Sequence, residues 1–341
     1  MKRRRIVVAM HSGLMPPESS EGMTAAELHP VKQEYDVCVT LEELGHDVLR
    51  VGVDDELAPL RRALKEHQPH VVFNLLTHFH DVVVMDSAVV SWLELIKQPY
   101  TGCNPRGLLV ASDKALSKKI MAYHRIPAPH FMTVPLGRPV GRIPKSLRFP
   151  LFVKSKSEHA SVGISEASIV RDPEALADRV EYMHRTVGTG VICEEYIEGR
   201  ELSIPVMGNR RIEVGPVWEV FMDDLRKGAP RIFTSRVKWD LEYQERIGLR
   251  SGPAELDDAD QRRIARLAKR IYKALGLSGY ARIDLRLDAD GKAWILEANP
   301  NNDLSFGEDF AEGFSRRDYS YPKLLQRIVN LGLRYEAPWK S

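Results

Sequence analysis

Two stretches near the end of the chain leave little choice of local structure. Gly279-Tyr280-Ala281-Arg282-Ile283-Asp284-Leu285-Arg286-Leu287-Asp288 and Ala293-Trp294-Ile295-Leu296-Glu297-Ala298-Asn299-Pro300 both alternate apolar and polar residues, the two-residue period of a half-buried strand. Asp288-Ala289-Asp290-Gly291 between them is a turn sequence, so the pair reads as a hairpin. Arg282 and Asp284 lie two apart and share a face, as do Glu297 and Asn299. Three oxygen-bearing side chains and one guanidinium on one sheet face are costly without a cation or a phosphate between them. Hard oxygen donors suit magnesium, which takes one or two carboxylates together with substrate phosphates. A solvated outer face would show the same alternation. Two matched pairs running into Asn299-Pro300-Asn301-Asn302-Asp303 favour a magnesium-nucleotide site.

The rest of the chain divides into two patterns. Residues 6–110 alternate strands (Ile6–Met10, Val48–Val53, His70–Leu76, Tyr100–Gly102) with helices (Gln33–Leu44, Leu57–His67, Ser87–Lys97), which implies a parallel sheet with helices on its faces. From Asp113 strands dominate: Phe131–Val134, Pro150–Lys154, Ile164–Val170, Val191–Ile197, Glu201–Met207 and Arg211–Val220. Helices are expected at 113–123, from Asp172-Pro173 to about Val187, over Asp257–Leu275 and over Tyr321–Leu333, with 221–256 irregular. The fold class expected is α/β and α+β, a parallel α/β unit followed by a strand-rich part with interspersed helices.

Composition excludes several classes. The 49 basic and 47 acidic residues leave a net charge of +2, without the basic excess of a nucleic-acid binder. No apolar run approaches the roughly 18 residues that span a bilayer, so no membrane partner is expected. Lys2-Arg3-Arg4-Arg5 precedes five apolar residues, too few for the roughly 7 to 15 of a secretory core, and reads as the charged start of a buried strand. Cys38, Cys103 and Cys193 are odd in number and far apart, which suggests neither a disulfide framework nor a zinc knuckle and places the chain in the reducing cytoplasm.

Further motifs carry chemistry of the same kind. Lys154 closes a buried-looking strand and leads into the small-residue loop of Glu158 to Gly163, including Ser161 and Val162; such a loop offers backbone N–H groups to phosphates and the lysine a point charge. The spacing is not that of a P-loop. Glu194-Glu195-Tyr196-Ile197 and Glu201 follow a strand, where backbone groups could read a base edge and a carboxylate could bond ribose hydroxyls, a charged surface turn being the alternative. Lys114 opens a helix behind Asp113, and Lys238 sits in a flexible-looking stretch that could close as a lid. His11 and Ser12, and the loop His78-Phe79-His80-Asp81, end strands of the parallel sheet, where substrates of such sheets bind. A metal role for His78-Phe79-His80-Asp81 is disfavoured, because neither a cysteine nor a third histidine supports it.

These pieces in this order resemble the ATP-grasp superfamily, specifically its D-alanine–D-alanine ligase-like branch, well over about residues 100–330 and loosely before. The resemblance implies an N-terminal α/β domain (1–110), a central ATP-grasp lobe (111–190) and a C-terminal ATP-grasp lobe with the metal site (191–341). It implies an ATP-dependent carboxylate–amine ligase working through an acyl phosphate, with ATP and two magnesium ions (manganese as a substitute), amino-acid-like substrates and, as in many relatives, a homodimer. By motif, Lys114 and Lys154 look like the phosphate lysines and Ser161, Val162 and Gly163 like the flap. Glu194, Glu195 and Ile197 look like the adenine segment, and Glu201 like the ribose acid. Lys238 resembles the γ-phosphate lysine. Asp284, Glu297 and Asn299 look like the metal ligands, Arg282 like the oxyanion residue, and Ser305 lies where a substrate contact is placed. His159 and Ala160 stand where the family's flap has glycine and serine, Trp239 where a tyrosine is common, and the Glu-x-x-x-Ser motif has no counterpart around Gly22 to Tyr35. These departures fall on the amino-acid side and point away from D-alanine as substrate. An ATP-grasp kinase needs no oxyanion arginine, and a non-catalytic nucleotide binder would show a damaged metal triad; Arg282 and the intact triad favour the ligase.

Overall fold

The computed structural model describes residues 2–158, 161–317 and 319–337. Its first part comprises β1 (Arg5–His11), α1 (Ala25–Leu28), α2 (Lys32–Glu43), β2 (Asp47–Val53), α3 (Ala58–His67), β3 (Val71–Asn74) and α4 (Asp86–Leu95). The strands form a parallel sheet in the order β2-β1-β3. The continuous apolar run of β1 is what a strand covered on both faces requires. Val7 and Ala9 enter one core, while Ile6, Val8 and Met10 enter another with Val37, Cys38 and Leu41 of α2. The expected strand at Tyr100–Gly102 is only a single bridge, Val72 to Tyr100.

After α5 (Pro105–Ser112) and α6 (Lys114–Tyr123) comes a second, antiparallel sheet. It contains β4 (Phe131–Val134), β5 (Leu151–Ser155), β6 (Ile169–Val170) and, after α7 (Pro173–Thr186), β7 (Val191–Glu195). Their order is β4-β7-β5-β6. The expected strand Ile164–Val170 shrinks to β6, because Ser165 and Ser168 cap each other and wind 166–168 into a 3-10 turn. The chain leaves this sheet after Glu195, not at 190, since β7 lies between β4 and β5.

The third sheet is built from β8 (Arg200–Met207), β9 (Glu213–Val214), β10 (Trp218–Met222), β11 (Leu249–Pro253), β12 (Tyr280–Leu287) and β13 (Ala293–Pro300). Its order is β11-β10-β8-β12-β13, with β9 on β8. The strand expected over Arg211–Val220 is split at Gly215-Pro216 into β9 and β10, as a residue without an N–H demands. The stretch 221–256 is more ordered than its sequence suggests. α8 (Ser235–Trp239), α9 (Leu241–Arg246) and β11 enclose a small core of Met222, Val237 and Ile247. α10 (Asp258–Ala274) buries Ile264, Leu267, Ala268, Ile271 and Tyr272, one stripe at helical spacing. α11 (Asp309–Ser315) and α12 (Tyr321–Leu333) close the chain, and α12 packs on α2 and β3. The last helix thus shares a core with the first sheet. Among the described residues no helix is long and apolar enough to cross a membrane, and all three cysteines are buried and unbonded.

Candidate active site

The hairpin forms as its spacing predicts. β12 and β13 pair antiparallel with Arg282 opposite Asn299 and Asp284 opposite Glu297. On its other side β12 pairs with β8, setting Pro205 beside Arg282, Ser203 beside Asp284 and Glu201 beside Arg286. Directly opposed residues share a face, so one surface carries Ser203, Asp284 and Glu297 in a row, flanked by Arg282 with Asn299 and by Glu201 with Arg286.

The contacts on this face are dense. Arg282 grips Asp284 with Nε to Oδ1 at 2.8 Å and Nη2 to Oδ2 at 2.9 Å. Asn299 Nδ2 donates to Asp284 Oδ2 at 2.7 Å and, at 3.4 Å, to Glu297 Oε1. Burial pushes the Asp284 carboxyl up; Arg282 pulls it down, and Glu297 and Glu201 push it up again, leaving it above the ordinary range. Burial works against the Arg282 charge and is outweighed by Asp284, so the guanidinium is held firmly protonated. The bidentate arginine therefore does not fully offset the burial of this carboxylate and the acids beside it. The buried hydroxyl of Ser203 has no hydrogen-bond partner among the described residues. Two carboxylates, an amide oxygen and a spare hydroxyl fit a hard divalent cation.

Facing these acids are three lysines with buried amines. Lys114, first residue of α6 behind the N-cap Asp113, has its Nζ 3.7 Å from Glu297 Oε2 and donates to the Glu158 carbonyl at 2.6 Å. Lys154 on β5 lies 2.7 Å from Glu194 Oε1, and Lys118, one turn along α6 from Lys114, lies 3.0 Å from Glu194 Oε2. Lys118 also donates to the Ile295 carbonyl of β13 at 3.3 Å, tying the helix to the hairpin. Burial lowers Lys114 and Lys118 below the ordinary lysine range. Burial also acts on Lys154, but Glu194 and Glu297 outweigh it and raise its pKa. Glu194 is lowered, the two lysines overcoming its burial.

The remaining expected residues fall as follows. Glu201 accepts from Arg286 Nη2 at 2.7 Å, and Arg286 also reaches Tyr196 Oη at 3.3 Å and the Ile197 carbonyl at 3.0 Å. Glu195 turns outward to His130 Nδ1 at 3.2 Å and the Arg148 N–H at 3.0 Å. Of the flap, His159 and Ala160 lie outside the described residues. Ser161 accepts through its carbonyl from Ser235 Oγ at 2.5 Å, and Ser235 N donates to the Ile164 carbonyl at 3.2 Å. The flap thus touches α8, whose Lys238 amine is lowered by burial and by Arg282, against the pull of Asp303, Glu297 and Asp284. The Gly163 carbonyl turns to Arg179 instead of the cleft. Ser305 is buried, with its hydroxyl donated to Asp303 Oδ1 at 2.6 Å. His11 ends β1 and His78 follows β3, with ring centroids 4.6 Å apart; burial and its neighbour His11 lower His78.

Lys118, Arg286, Ser203 and Asp303 escaped the sequence reading. The first three carried a signal: Lys118 stands four residues after Lys114, and Arg286 and Ser203 stand two after Asp284 and Glu201. Those are the spacings that share a helix or strand face.

Comparison with known proteins agrees with this geometry. The family model described as D-ala D-ala ligase C-terminus matches residues 132–330. The chain is 30% identical over 315 residues to a D-alanine–D-alanine ligase of Desulforudis audaxviator, covering 91% of this chain and 95% of that protein. It is 27% identical over 304 residues to the uncharacterized protein y4sG of Sinorhizobium fredii, covering 87% and 86%. Among solved structures it resembles the D-alanine–D-alanine ligase of Bacillus anthracis complexed with ATP (TM-score 0.74, 22% identity, 97% and 98% of the two chains). It also resembles the VanG D-Ala:D-Ser ligase of Enterococcus faecalis (TM-score 0.69, 18% identity, 97% and 100%).

Proposed function

The chain belongs to the D-alanine–D-alanine ligase family of the ATP-grasp superfamily, and from that premise we propose that it joins two small amino-acid-like molecules at the expense of ATP. A substrate carboxylate oxygen attacks the γ-phosphorus and ADP leaves. The amine of the second substrate attacks the acyl carbon, loses a proton, and phosphate departs with the oxygen. The observation that carries this reading is the face of Arg282, Asp284, Glu297 and Asn299 set against Lys114 and Lys154.

Asp284, Glu297 and Asn299 would hold two ions of magnesium or manganese. Ions bound there would offset phosphate charge. Lys114 and Lys154 supply positive charge to phosphate oxygens, and Lys238 is delivered by the lid. Arg282 stabilises the oxyanion that develops at the acyl carbon. Glu201, oriented by Arg286, takes the ribose. With the Glu194 side chain engaged by two lysines and that of Glu195 turned outward, the base rests on Ile197 and nearby main chain. Ser305, His11 and His78 are candidate contacts for the amino-acid substrates. The division into domains 1–110, 111–190 and 191–341 is retained as a working one, with its second boundary moved beyond Glu195.

We place the substrate pair outside strict D-alanine with D-alanine, because His159, Ala160 and Trp239 alter the amino-acid side. The test is ADP release across a panel of amino acids and dipeptides. Release needing both a carboxylate and an amine supports a ligase; release with an alcohol alone would mean a kinase. Release with D-alanine alone, as fast as with any pair, would overturn the substrate reading. ATP should slow proteolysis within 221–256, and an unchanged cleavage rate would remove the lid.

A further inference from the structure

We propose that the N-terminal sheet carries a second metal site, separate from the catalytic face, in which His11, His78 and Asp81 bind a late first-row divalent ion such as zinc. The sequence hides the site, because His11 and His78 are far apart along the chain. β1 and β3 are neighbours in the parallel sheet. His11 ends β1, and His78 follows β3, so both rings emerge at the same edge. Parallel sheets bind their ligands at that edge.

The rings lie 4.6 Å apart with planes tilted by 37°. One nitrogen of each and one Asp81 carboxylate oxygen all lie within 4.8 Å of one another. A tight turn delivers Asp81. Phe79 and Val82 exchange backbone hydrogen bonds at 3.2 and 3.1 Å, and His80 and Asp81 both adopt left-handed backbone, with φ of 54° and 56°. Few residues other than glycine adopt this backbone readily, and aspartate and histidine are among those that do. The turn folds Asp81 back toward the rings.

His11 is held on both sides. Asp54 Oδ1 lies 3.2 Å from Nε2, and the Gly13 N–H donates to Nδ1 at 3.1 Å. Ser12 in turn donates to Asp54. A carboxylate behind a ligating imidazole fixes its tautomer and raises its basicity. With Asp54 kept on Nε2, the ion takes the place of the Gly13 N–H at Nδ1. Two imidazoles and one carboxylate with an open position suit zinc, cobalt or nickel better than magnesium. The site does not depend on the ligase reading, but an ion held there would replace His11 and His78 as direct contacts to the amino-acid substrates.

The test titrates the full chain, without nucleotide, with zinc against a chromophoric chelator, and with cobalt followed by its visible absorption. The intact chain and Asp284→Asn should each hold one zinc ion at this site. His78→Ala and Asp81→Asn should weaken it at least about tenfold and remove the cobalt bands. Circular dichroism checks folding, and Asp81→Asn, an exposed turn position, decides the matter if His78→Ala unfolds. No zinc held by the intact chain, equal affinity in Asp81→Asn, or loss confined to Asp284→Asn would each overturn the proposal.

Discussion

Glu194 and Asp86 are both buried acids, and the fold treats them in opposite ways. Glu194 faces Lys154 and Lys118 at 2.7 and 3.0 Å, and the two lysines hold its carboxyl below the usual range. Asp86, at the start of α4, has one carboxylate oxygen with no hydrogen-bond partner among the described residues, and burial pushes it up to about 7. Asp284 stands between them: a bidentate arginine serves it, yet burial, with Glu297 and Glu201 adding to it, keeps it raised. The fold can thus keep a buried acid ionised when it sets two cations beside it. On the hairpin face it stops short, and the charge left over is what a divalent ion would complement.

Removing a charge from that face should have the largest effect. Glu297→Gln or Asp284→Asn is predicted to lower turnover by at least about 10²-fold. Helix content should be retained, because β12 and β13 are held by backbone pairing and apolar burial. Full activity in either variant would break the contrast between the hairpin and the Glu194 cluster. Lys118→Met probes the other side. Glu194 would keep only Lys154, so denaturant titration should show a loss of about 2 kcal/mol, and the KM for ATP should rise as Lys154 is drawn away from phosphate. An unchanged KM would make Lys118 a purely structural residue.

Asp86→Asn sharpens the comparison from the unpaired side. Unfolded, the acid titrates near its ordinary value of 3.8; folded, near 7. Between those values the folded state holds the extra proton, so its stability falls as pH rises through that window and levels off above it. The variant escapes this loss. It should be more stable than the parent at pH 8 by on the order of 2 kcal/mol, and the gap should close toward pH 4. A gap independent of pH would contradict the burial argument.

What the sequence made legible follows the same division. Residues on strands and at a helix start, such as Asp284, Glu297, Asn299, Lys154 and Lys114, could be placed because a period of two or a capped turn fixes their direction. The partners that tune them were harder. Lys118 and Arg286 were visible only to a reading that carried the helix and strand periods one step further. Asp303 sits on a loop and has no period at all. The lid looked irregular because its helices are only five and six residues long, and the small core that orders them unites residues 25 apart, Met222 and Ile247. His11 and His78 meet through parallel pairing across the intervening α1, α2, β2 and α3, which local spacing does not report.

The most direct test measures the affinity of a non-hydrolysable ATP analogue with and without magnesium, in the parent chain and in Glu297→Gln. Tight binding should need magnesium in the parent, and that dependence should vanish in the variant while the magnesium-free affinity stays the same. The same gain from magnesium in both proteins would contradict a metal-binding role for the hairpin face.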